Sequence, residues 1–248
     1  MKSLKVLGVI PARLESTRLP KKLLRTIDGR PLIQFVYESV KKASLVDDVV
    51  VACDDQSLMD VVQSFGGQAI LTSKEHQSGT ERISEVASKI EADIYINIQG
   101  DEPLMTSENV NLLVEHFRDD QNFIVGTLAV KKTGEEFKNP NAVKVVFSKD
   151  GKALYFSRSP IPHFRDDENK TDFWKHLGIY AYRADFWKKF STLSDSFLEQ
   201  SEKLEQLRFL ENGIDLKVIE VNDDSIGVDT EEDFKKVEEI IKKTALSS

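Results

Sequence analysis

The first half of the chain alternates between two spacings of its apolar residues. Short, nearly continuous apolar runs, typical of buried parallel strands, alternate with segments whose apolar residues recur every three to four positions, as in amphipathic helices. The predicted strands cover residues 4–10, 48–53, 68–71, 93–98 and 123–130, and the predicted helices cover residues 31–44, 56–65, 80–90 and 107–117. This order of strands and helices predicts a parallel sheet with helices on both faces.

The alternation stops after Val130. Three strand-like runs then follow without full helices between them, at residues 142–147, 153–157 and 176–182. Helical spacing returns at residues 184–190 and 199–212, followed by a strand at 216–221 and a last helix at 231–243. We therefore expect one α/β domain over residues 1–248. Its predicted fold is Rossmann-like and doubly wound, with a mostly parallel sheet and an antiparallel insertion at about residues 131–183.

The composition indicates which classes of binding partner are not expected. The chain has 248 residues, 40% of them hydrophobic and 31% charged, with a formal net charge of −8 and a pI near 5.2. A nucleic-acid backbone calls for a basic face, so nucleic acid is not an expected partner. The chain has one cysteine, Cys53, no apolar stretch long enough to cross a bilayer, and no leader-like start. We expect a cytoplasmic protein that does not bind membranes.

The first predicted strand runs directly into a loop rich in cations and hydroxyl groups. The polar side chains of this loop include Arg13, Ser16, Thr17, Arg18, Lys21 and Lys22. Ligands of open α/β sheets bind at the carboxyl ends of the strands, and Arg and Lys pair with phosphate oxygens. The loop is therefore suited to a triphosphate, although a solvated basic loop has the same composition.

Two acidic positions are candidate metal ligands. Asp101 follows the strand at residues 93–98, where an acid can hold a Mg²⁺ that bridges phosphate oxygens. From the residues alone, an ordinary polar turn explains this position equally well. Asp229 precedes the last predicted helix, beside Thr230 and Asp233, whose Thr-x-x-Asp spacing is that of a capping box. Capping accounts for Thr230 and Asp233 and leaves Asp229 as a second metal ligand.

Other polar residues lie at places suited to ligands. The loop at residues 76–82 opens a helix, and helix N-termini favour anions and polar ligand groups. Arg158 and His176 lie in the predicted insertion and are suited to a substrate carboxylate, although each is also common as a surface or packing residue. The sequence lacks the motifs of P-loop ATPases, dinucleotide-binding dehydrogenases, serine hydrolases and zinc hydrolases, which disfavours those classes.

Taken in order, these segments resemble one family, the 3-deoxy-manno-octulosonate cytidylyltransferases, also called CMP-Kdo synthetases. The matching segments are IPAR at 10–13 with STRLP at 16–20, HQSGTER at 76–82, QGDEP at 99–103, NPNAVK at 139–144, ALYFSR at 153–158, HLGIY at 176–180, LEQLR at 204–208 and GVDT at 227–230. The resemblance covers nearly the whole chain. It departs at residues 21–24, where Lys-Lys-Leu-Leu stands in place of the family's common Gly-Lys-Pro-Leu.

The resemblance implies a reaction and a set of site residues. CTP and an octulosonic sugar acid would give the CMP-sugar and pyrophosphate, for lipopolysaccharide biosynthesis. The implied catalytic residues are Arg13, Lys22, Asp101 and Asp229, of which Asp101 and Asp229 would hold Mg²⁺. The implied nucleotide-binding residues are Ala12, Arg13, Ser16, Thr17, Arg18, Lys22, Ser78 and Thr80. The implied sugar-acid residues are Gln99, Arg158, His176, Glu205 and Gln206.

The insertion is expected to form the wall of the sugar-acid site and a homodimer interface. The resemblance implies both, and the aromatic content supports the interface because aromatic residues are enriched in interface cores. These aromatic residues are Tyr155, Phe156, Phe173, Trp174, Tyr180 and Tyr182. Packing onto the chain's own sheet is the alternative for them.

Two other functions remain open. One is an acylneuraminate cytidylyltransferase that uses a nine-carbon acid, and the other is a nucleotide-binding regulator of the same fold that has lost catalysis. Within the octulosonate family, the sugar itself is either Kdo or a close variant such as 8-amino-Kdo.

Overall fold

The structure is a computed structural model that describes residues 4–16, 18–166 and 171–246. Thr17, one of the expected nucleotide-binding residues, lies outside the described residues. The strands are β1 Val6–Ala12, β2 Thr26–Ile27, β3 Arg30–Pro31, β4 Asp48–Cys53, β5 Ala69–Leu71, β6 Ile94–Asn97, β7 Val125–Lys132, β8 Lys144–Phe147, β9 Ala153–Ser157, β10 Phe173–Arg183 and β11 Leu216–Val221. The helices are α1 Leu32–Lys42, α2 Gln56–Ser64, α3 Gly79–Lys89, α4 Ser107–Asp119, α5 Phe186–Phe190, α6 Phe197–Glu202, α7 Gln206–Glu211 and α8 Glu231–Leu246.

The central sheet is mostly parallel, which confirms the predicted fold class. Its strand order is β11-β7-β10-β6-β1-β4-β5. β1 pairs in parallel with both β4 and β6, β4 pairs in parallel with β5, and β7 pairs in parallel with β11. β10 is antiparallel to β6 and to β7 and lies between them, so it joins the two parallel halves of the sheet.

Apolar residues cover both faces of the first strand, as its continuous apolar run predicts. Val6 and Ile10 pack in a buried cluster with α1 and α4, and Leu7 and Val9 pack in a second cluster with α3. Because side chains alternate between the faces of a strand, a strand that is covered on both sides must be apolar at every position. None of the described helices is both long enough and apolar enough to span a bilayer.

The segment at residues 131–183 continues the central sheet. β8 pairs with the first part of β10 and with β9. β10 pairs with β7 along most of its length, and its last part also pairs with β6. The register of β10 against β7 shifts between Leu177 and Tyr180, which marks a bulge at this point. The insertion is therefore an antiparallel extension of the sheet, and its last strand is one of the central strands.

The prediction of one continuous helix at residues 199–212 is wrong. Two short helices, α6 and α7, replace it, because Lys203 adopts the left-handed conformation with φ of 55° and ends α6. Lysine is not a usual residue for this conformation, which is why the sequence pattern gave no stop signal there. The pattern also missed the two-stranded β2–β3 ribbon and the short 3₁₀ helix at Lys22–Leu24.

Candidate functional site

A cleft lies at the carboxyl ends of β1 and β6 and extends along β10. It consists of two cavities, of about 330 Å³ and about 1110 Å³, which we call the small and the large chamber. The chambers are joined, because both are lined by Arg18, Gly79, Gln99, Asp101 and Asp229. This is the edge of an open α/β sheet where ligands usually bind.

The basic loop after β1 lines the small chamber. Arg13, Ser16, Arg18 and Lys22 all contribute to its wall, as the sequence predicts for a phosphate-binding loop. The guanidinium of Arg13 donates a hydrogen bond to the carbonyl oxygen of His76, which ties the basic loop to the segment before α3.

His76 fixes the segment before α3. Its ring nitrogen Nε2 lies 2.6 Å from the carboxylate of Glu85 on α3. The sequence motif at residues 76–82 thus supplies both an anchor for Arg13 and the first turn of α3. The side chain of Ser78 accepts the amide of Glu81 at 3.2 Å and so caps this helix.

A lysine ammonium lies between the two candidate metal-binding carboxylates. Lys22 Nζ donates to Asp101 Oδ2 and, at 3.0 Å, to Asp229 Oδ1, while Arg18 Nη2 lies 2.8 Å from Asp229 Oδ2. Burial alone would lower the pKa of Lys22, but the Asp101 charge and the hydrogen bonds to both carboxylates raise this pKa above its ordinary value. Two carboxylates from distant parts of the chain therefore converge on one cation.

Local hydrogen bonds hold these two carboxylates in place. The amide of Val228 donates to the carbonyl oxygen of Asp101 at 2.9 Å, which joins the segment before α8 to the end of β6. The predicted capping box is present, because the Thr230 hydroxyl accepts the Asp233 amide while the Asp233 carboxylate accepts the Thr230 amide. Asp233 also accepts the amide of Asp229, so the cap fixes the backbone of Asp229 and leaves its carboxylate facing Lys22.

The donor set at this point fits Mg²⁺ better than a metal that needs a protein cage. Among the described residues, no group of three or more His, Cys, Asp or Glu side chains is placed to hold a metal ion. Mg²⁺ is commonly held by one or two carboxylates together with water and substrate phosphates. Asp101 and Asp229 supply two such oxygen ligands and already enclose a positive charge.

The large chamber brings together the expected sugar-acid residues. Gln99, Arg158, His176, Glu205 and Gln206 all line it, as does Thr80. They come from the end of β6, the end of β9, the bulge of β10 and the start of α7, which are separated in sequence and meet only in the folded chain. Two expected nucleotide-binding residues, Ala12 and Ser78, line neither chamber.

Arg158 keeps part of its guanidinium available to a ligand. Its Nε donates to the carbonyl oxygen of Glu202 at 2.7 Å, Nη1 donates to Pro140 at 3.0 Å, and Nη2 donates to Lys203 at 3.4 Å. A guanidinium has five N–H donors, so two remain. Within the described part of the chain, no carboxylate forms an ion pair with this side chain, and its charge is therefore available to an anionic group.

His176 is neutral and presents an acceptor. The Thr127 hydroxyl donates to the carbonyl oxygen of Ile179 at 2.7 Å, so its oxygen accepts from His176 Nε2 at 2.9 Å. The ring proton is therefore on Nε2, and Nδ1 is an acceptor. Burial against the rings of Phe156 and Tyr180 lowers the pKa of His176 to about 3.

Glu205 has a carboxylate oxygen without a hydrogen bond. Its Oε2 accepts from the hydroxyl of Thr80, whereas its buried Oε1 has no hydrogen-bond donor in the residues that the structure describes. Burial raises the pKa of this carboxyl above its ordinary value. Arg208 Nη2 forms an ion pair with this oxygen at 3.7 Å, too far for a hydrogen bond, so the oxygen can still accept from a donor such as a sugar hydroxyl.

Sequence reasoning missed two charged residues of the cleft, one completely buried and one partly buried. Arg82, to which the sequence analysis gave no role of its own, is completely buried, donates to Thr72 and Ser73, and lines the small chamber. Glu102 follows Asp101 and lines the large chamber, and burial, together with the Asp101 charge, raises its pKa to about 7. Its position directly after Asp101, within the QGDEP segment, was the signal that could have identified it.

Gly178, in the HLGIY segment at residues 176–180, lies against Glu102. A β-carbon at Gly178 would lie 2.6 Å from Glu102 Oε1 and 3.3 Å from Gln99 Cγ, so a side chain at this position would displace the Glu102 carboxylate. Glycine at this position therefore allows the bulge of β10 to approach the end of β6.

Comparisons with known proteins agree on one family. A family model described as cytidylyltransferase matches residues 7–219. A 3-deoxy-manno-octulosonate cytidylyltransferase of Koribacter versatilis is 52% identical over 240 residues, which are 97% of this chain and 91% of that protein. Another 3-deoxy-manno-octulosonate cytidylyltransferase, from Geotalea uraniireducens, is 46% identical over 97% of this chain and 100% of its own length.

A solved structure has the same fold at a similar level of identity. It is the structure of CMP:2-keto-3-deoxy-manno-octonic acid synthetase complexed with CTP, and it superposes with a TM-score of 0.92. The two sequences are 46% identical, and the alignment covers 97% of this chain and 99% of that one.

Proposed function

This chain belongs to the 3-deoxy-manno-octulosonate cytidylyltransferases, a cytidylyltransferase family, and we propose on that basis that it activates 3-deoxy-manno-octulosonate with CTP. The products are the CMP-sugar, which serves lipopolysaccharide synthesis, and pyrophosphate. One observation of the structure supports the proposal most directly. A cation-rich chamber and a chamber with an unpaired arginine meet at Asp101 and Asp229, where a triphosphate and a sugar acid would react.

The residues of the small chamber position the triphosphate. Arg13, Arg18 and Lys22 neutralise phosphate oxygens, and Ser16 donates to them. Asp101 and Asp229 would hold Mg²⁺, which when bound supplies charge neutralisation at the α-phosphate and lowers the pKa of the attacking hydroxyl. Positioning and charge neutralisation are the main requirements of phosphoryl and nucleotidyl transfer.

The residues of the large chamber orient the sugar acid. Two N–H groups of Arg158 bind its carboxylate, and His176 Nδ1 and Glu205 Oε1 accept from its hydroxyl groups. The sugar hydroxyl oxygen then forms a bond to the α-phosphorus of CTP, and the bond from that phosphorus to the bridging oxygen of pyrophosphate breaks. The hydroxyl proton is released to solvent.

Pyrophosphate release tests this function. The protein is mixed with CTP and Mg²⁺ and with Kdo, 8-amino-Kdo or N-acetylneuraminate in separate reactions. Turnover with Kdo or its amino variant supports the proposal and identifies the sugar. Turnover with the nine-carbon acid alone establishes the acylneuraminate alternative, and CTP binding without turnover on any acid establishes the regulator.

A variant in each chamber tests whether the two chambers bind different substrates. We expect Arg13→Ala to weaken CTP use and Arg158→Ala to weaken use of the sugar acid, since each loses a charged hydrogen bond worth roughly 1.5–3 kcal/mol. The measurement varies each substrate in turn. A change confined to the CTP dependence in Arg158→Ala would contradict this division of the site.

A homodimer is part of the proposal, although the aromatic argument for it fails. Phe156, Phe173, Tyr180 and Tyr182 are buried in the chain's own core. The remaining support is the outer edge of the sheet extension, where β9 pairs only with β8 among the described strands and Leu154 is 59% exposed. An exposed strand edge is a template for pairing with another chain, and pairing with a second copy would cover it. Sedimentation at micromolar concentration gives a dimer mass if this is correct and 28.1 kDa if it is not.

A further inference from the structure

Lys144 is a completely buried lysine behind the wall of the large chamber. It is the first residue of β8 and has no exposed surface. Its ammonium donates to three backbone carbonyl oxygens, those of Asn139 at 2.9 Å, Ala142 at 2.8 Å and Arg158 at 2.6 Å. All three of these residues line the large chamber. Lys144 therefore joins two separate segments of the chamber wall from behind.

The hydrogen bonds require Lys144 to be charged. A neutral amine has two N–H donors, so it would leave one of the three buried carbonyl oxygens without a donor. Burial lowers the pKa of this lysine, and the nearby charge of Glu202 opposes that effect. No carboxylate among the residues that the structure describes lies within ion-pair distance of the ammonium. The charge of Lys144 is thus held by carbonyl dipoles alone.

Neither Lys144 nor Arg158 forms an ion pair with a carboxylate of the described residues. Arg158, like Lys144, gives its protein hydrogen bonds only to carbonyl oxygens. Glu202 is the carboxylate with the largest effect on Lys144, ahead of Glu136. The two oxygens of Glu202 accept the Ser157 hydroxyl at 2.6 Å and the Arg158 amide at 2.9 Å. The two cations therefore face these carboxylates only beyond ion-pair distance, in a weakly solvated wall where a charge acts more strongly than in water.

We propose that Lys144 is a positioning and specificity residue for the carboxylate of the sugar acid. Its clamp on the carbonyl oxygens of Asn139, Ala142 and Arg158 holds the arginine in place, and its uncompensated charge favours an anionic sugar over a neutral one. The ligand carboxylate supplies the ion-pair partner that Arg158 lacks. This inference rests on the proposed function, because it assigns a role in binding the acid that the enzyme activates.

Two variants and a control separate the charge of Lys144 from its structural role. Lys144→Met removes the ammonium and keeps the length of the side chain. Glu202→Gln removes the nearby negative charge and keeps both hydrogen bonds, since the Ser157 hydroxyl can accept from the new amide. Lys138→Met removes a charge from an exposed position of the same segment. The KM values for CTP and for the sugar acid are measured for each, with thermal unfolding as a check of folding.

If the charge of Lys144 attracts the sugar acid, Lys144→Met and Glu202→Gln should change the KM for the sugar acid in opposite directions. Lys144→Met should raise the KM for the sugar acid about tenfold, the size of one screened charge interaction inside a protein wall, with the KM for CTP unchanged. Glu202→Gln should lower the KM for the sugar acid, and Lys138→Met should change neither constant. If Lys144→Met fails to fold, a lower KM in Glu202→Gln still supports the proposal.

Two other results would overturn the proposed role of Lys144. A KM for the sugar acid that rises in both variants shows a purely structural role, and an unchanged KM in Lys144→Met shows no role in binding. In both cases the wild-type protein still turns over CTP and the sugar acid, so the proposed function stands. Absence of turnover in the wild type removes the proposed function and this inference together.

Discussion

Replacing Lys22 with methionine should make the protein bind divalent cations more tightly while it weakens turnover. The ammonium of Lys22 occupies the point on which Asp101 and Asp229 converge, so a metal ion can take both carboxylates only after the ammonium has left. During turnover the released lysine would contact the triphosphate. The same side chain therefore competes with the metal in the free protein and supports the reaction in the complex.

How strongly Lys22 competes with a metal ion follows from the exposure of Lys22, Asp101 and Asp229. Lys22 is 14% exposed and Asp101 is 23% exposed, so their contact is a largely desolvated, charged hydrogen bond worth about 1.5–3 kcal/mol. Asp229 is 43% exposed, and solvent screening reduces its contact to less than about 1 kcal/mol. Removal of the ammonium should thus strengthen metal binding by about 2 kcal/mol, or about 30-fold.

Calorimetric titration of Mg²⁺ into the protein without nucleotide measures this change directly. Thermal unfolding gives a second readout, because Lys22→Met should melt at a lower temperature without Mg²⁺ and gain more from its addition than the wild type does. Lys21→Met is the matched control, since it removes the same charge from the exposed neighbouring residue. If Lys22→Met binds Mg²⁺ no better than the wild type, the two carboxylates do not form the metal site.

Three further outcomes are expected. Asp101→Asn or Asp229→Asn should reduce pyrophosphate release by at least about 100-fold, and excess chelator should abolish it in the wild type; full turnover in chelator would disprove the metal assignment. His176 has a folded-state pKa of about 3, below its unfolded value near 6.5, so the unfolded chain takes up the proton first as pH falls. Urea unfolding should therefore show the wild type losing about 2 kcal/mol more than His176→Gln between pH 7 and pH 5, and equal losses would contradict the burial of the neutral ring. Lys21 has φ of 51°, so Lys21→Gly should raise the free energy of unfolding by about 1 kcal/mol in the same assay, and no gain would mean that this backbone conformation is not strained.

Local sequence patterns predicted the elements of the sheet well. The bounds of β4, β9 and β11 are those that the apolar runs indicated. For β4 the reason is that a strand covered on both faces needs an apolar side chain at nearly every position. The position of β10 between β6 and β7 had no local signal, since strand order depends on contacts between distant residues. The break at Lys203 was hidden for a different reason, namely that a non-glycine residue there takes a conformation usually marked by glycine.

The candidate site was predictable to the extent that strand ends mark it. Asp101 follows β6, and Arg13 follows β1, so the carboxyl edge of a parallel sheet was enough to bring them near one another. The ammonium of Lys22 between two carboxylates was not predictable, because it depends on how the 3₁₀ turn at its start directs one side chain. The role of Lys144 depends likewise on three carbonyl oxygens whose meeting point is set by the fold.

The place of β10 in the sheet also constrains the order in which the chain can assemble during synthesis. β6 ends at Asn97, whereas its neighbour β10 begins at Phe173. One edge of β6 therefore stays unpaired until β10 has been synthesised. Pairings that are distant in sequence form slowly because loop closure must come first. The half of the sheet built on β1, β4, β5 and β6 can form while the chain emerges, whereas the two halves join only after Arg183 has been added. The cleft spans that junction, so the nascent chain gains its ligand sites last.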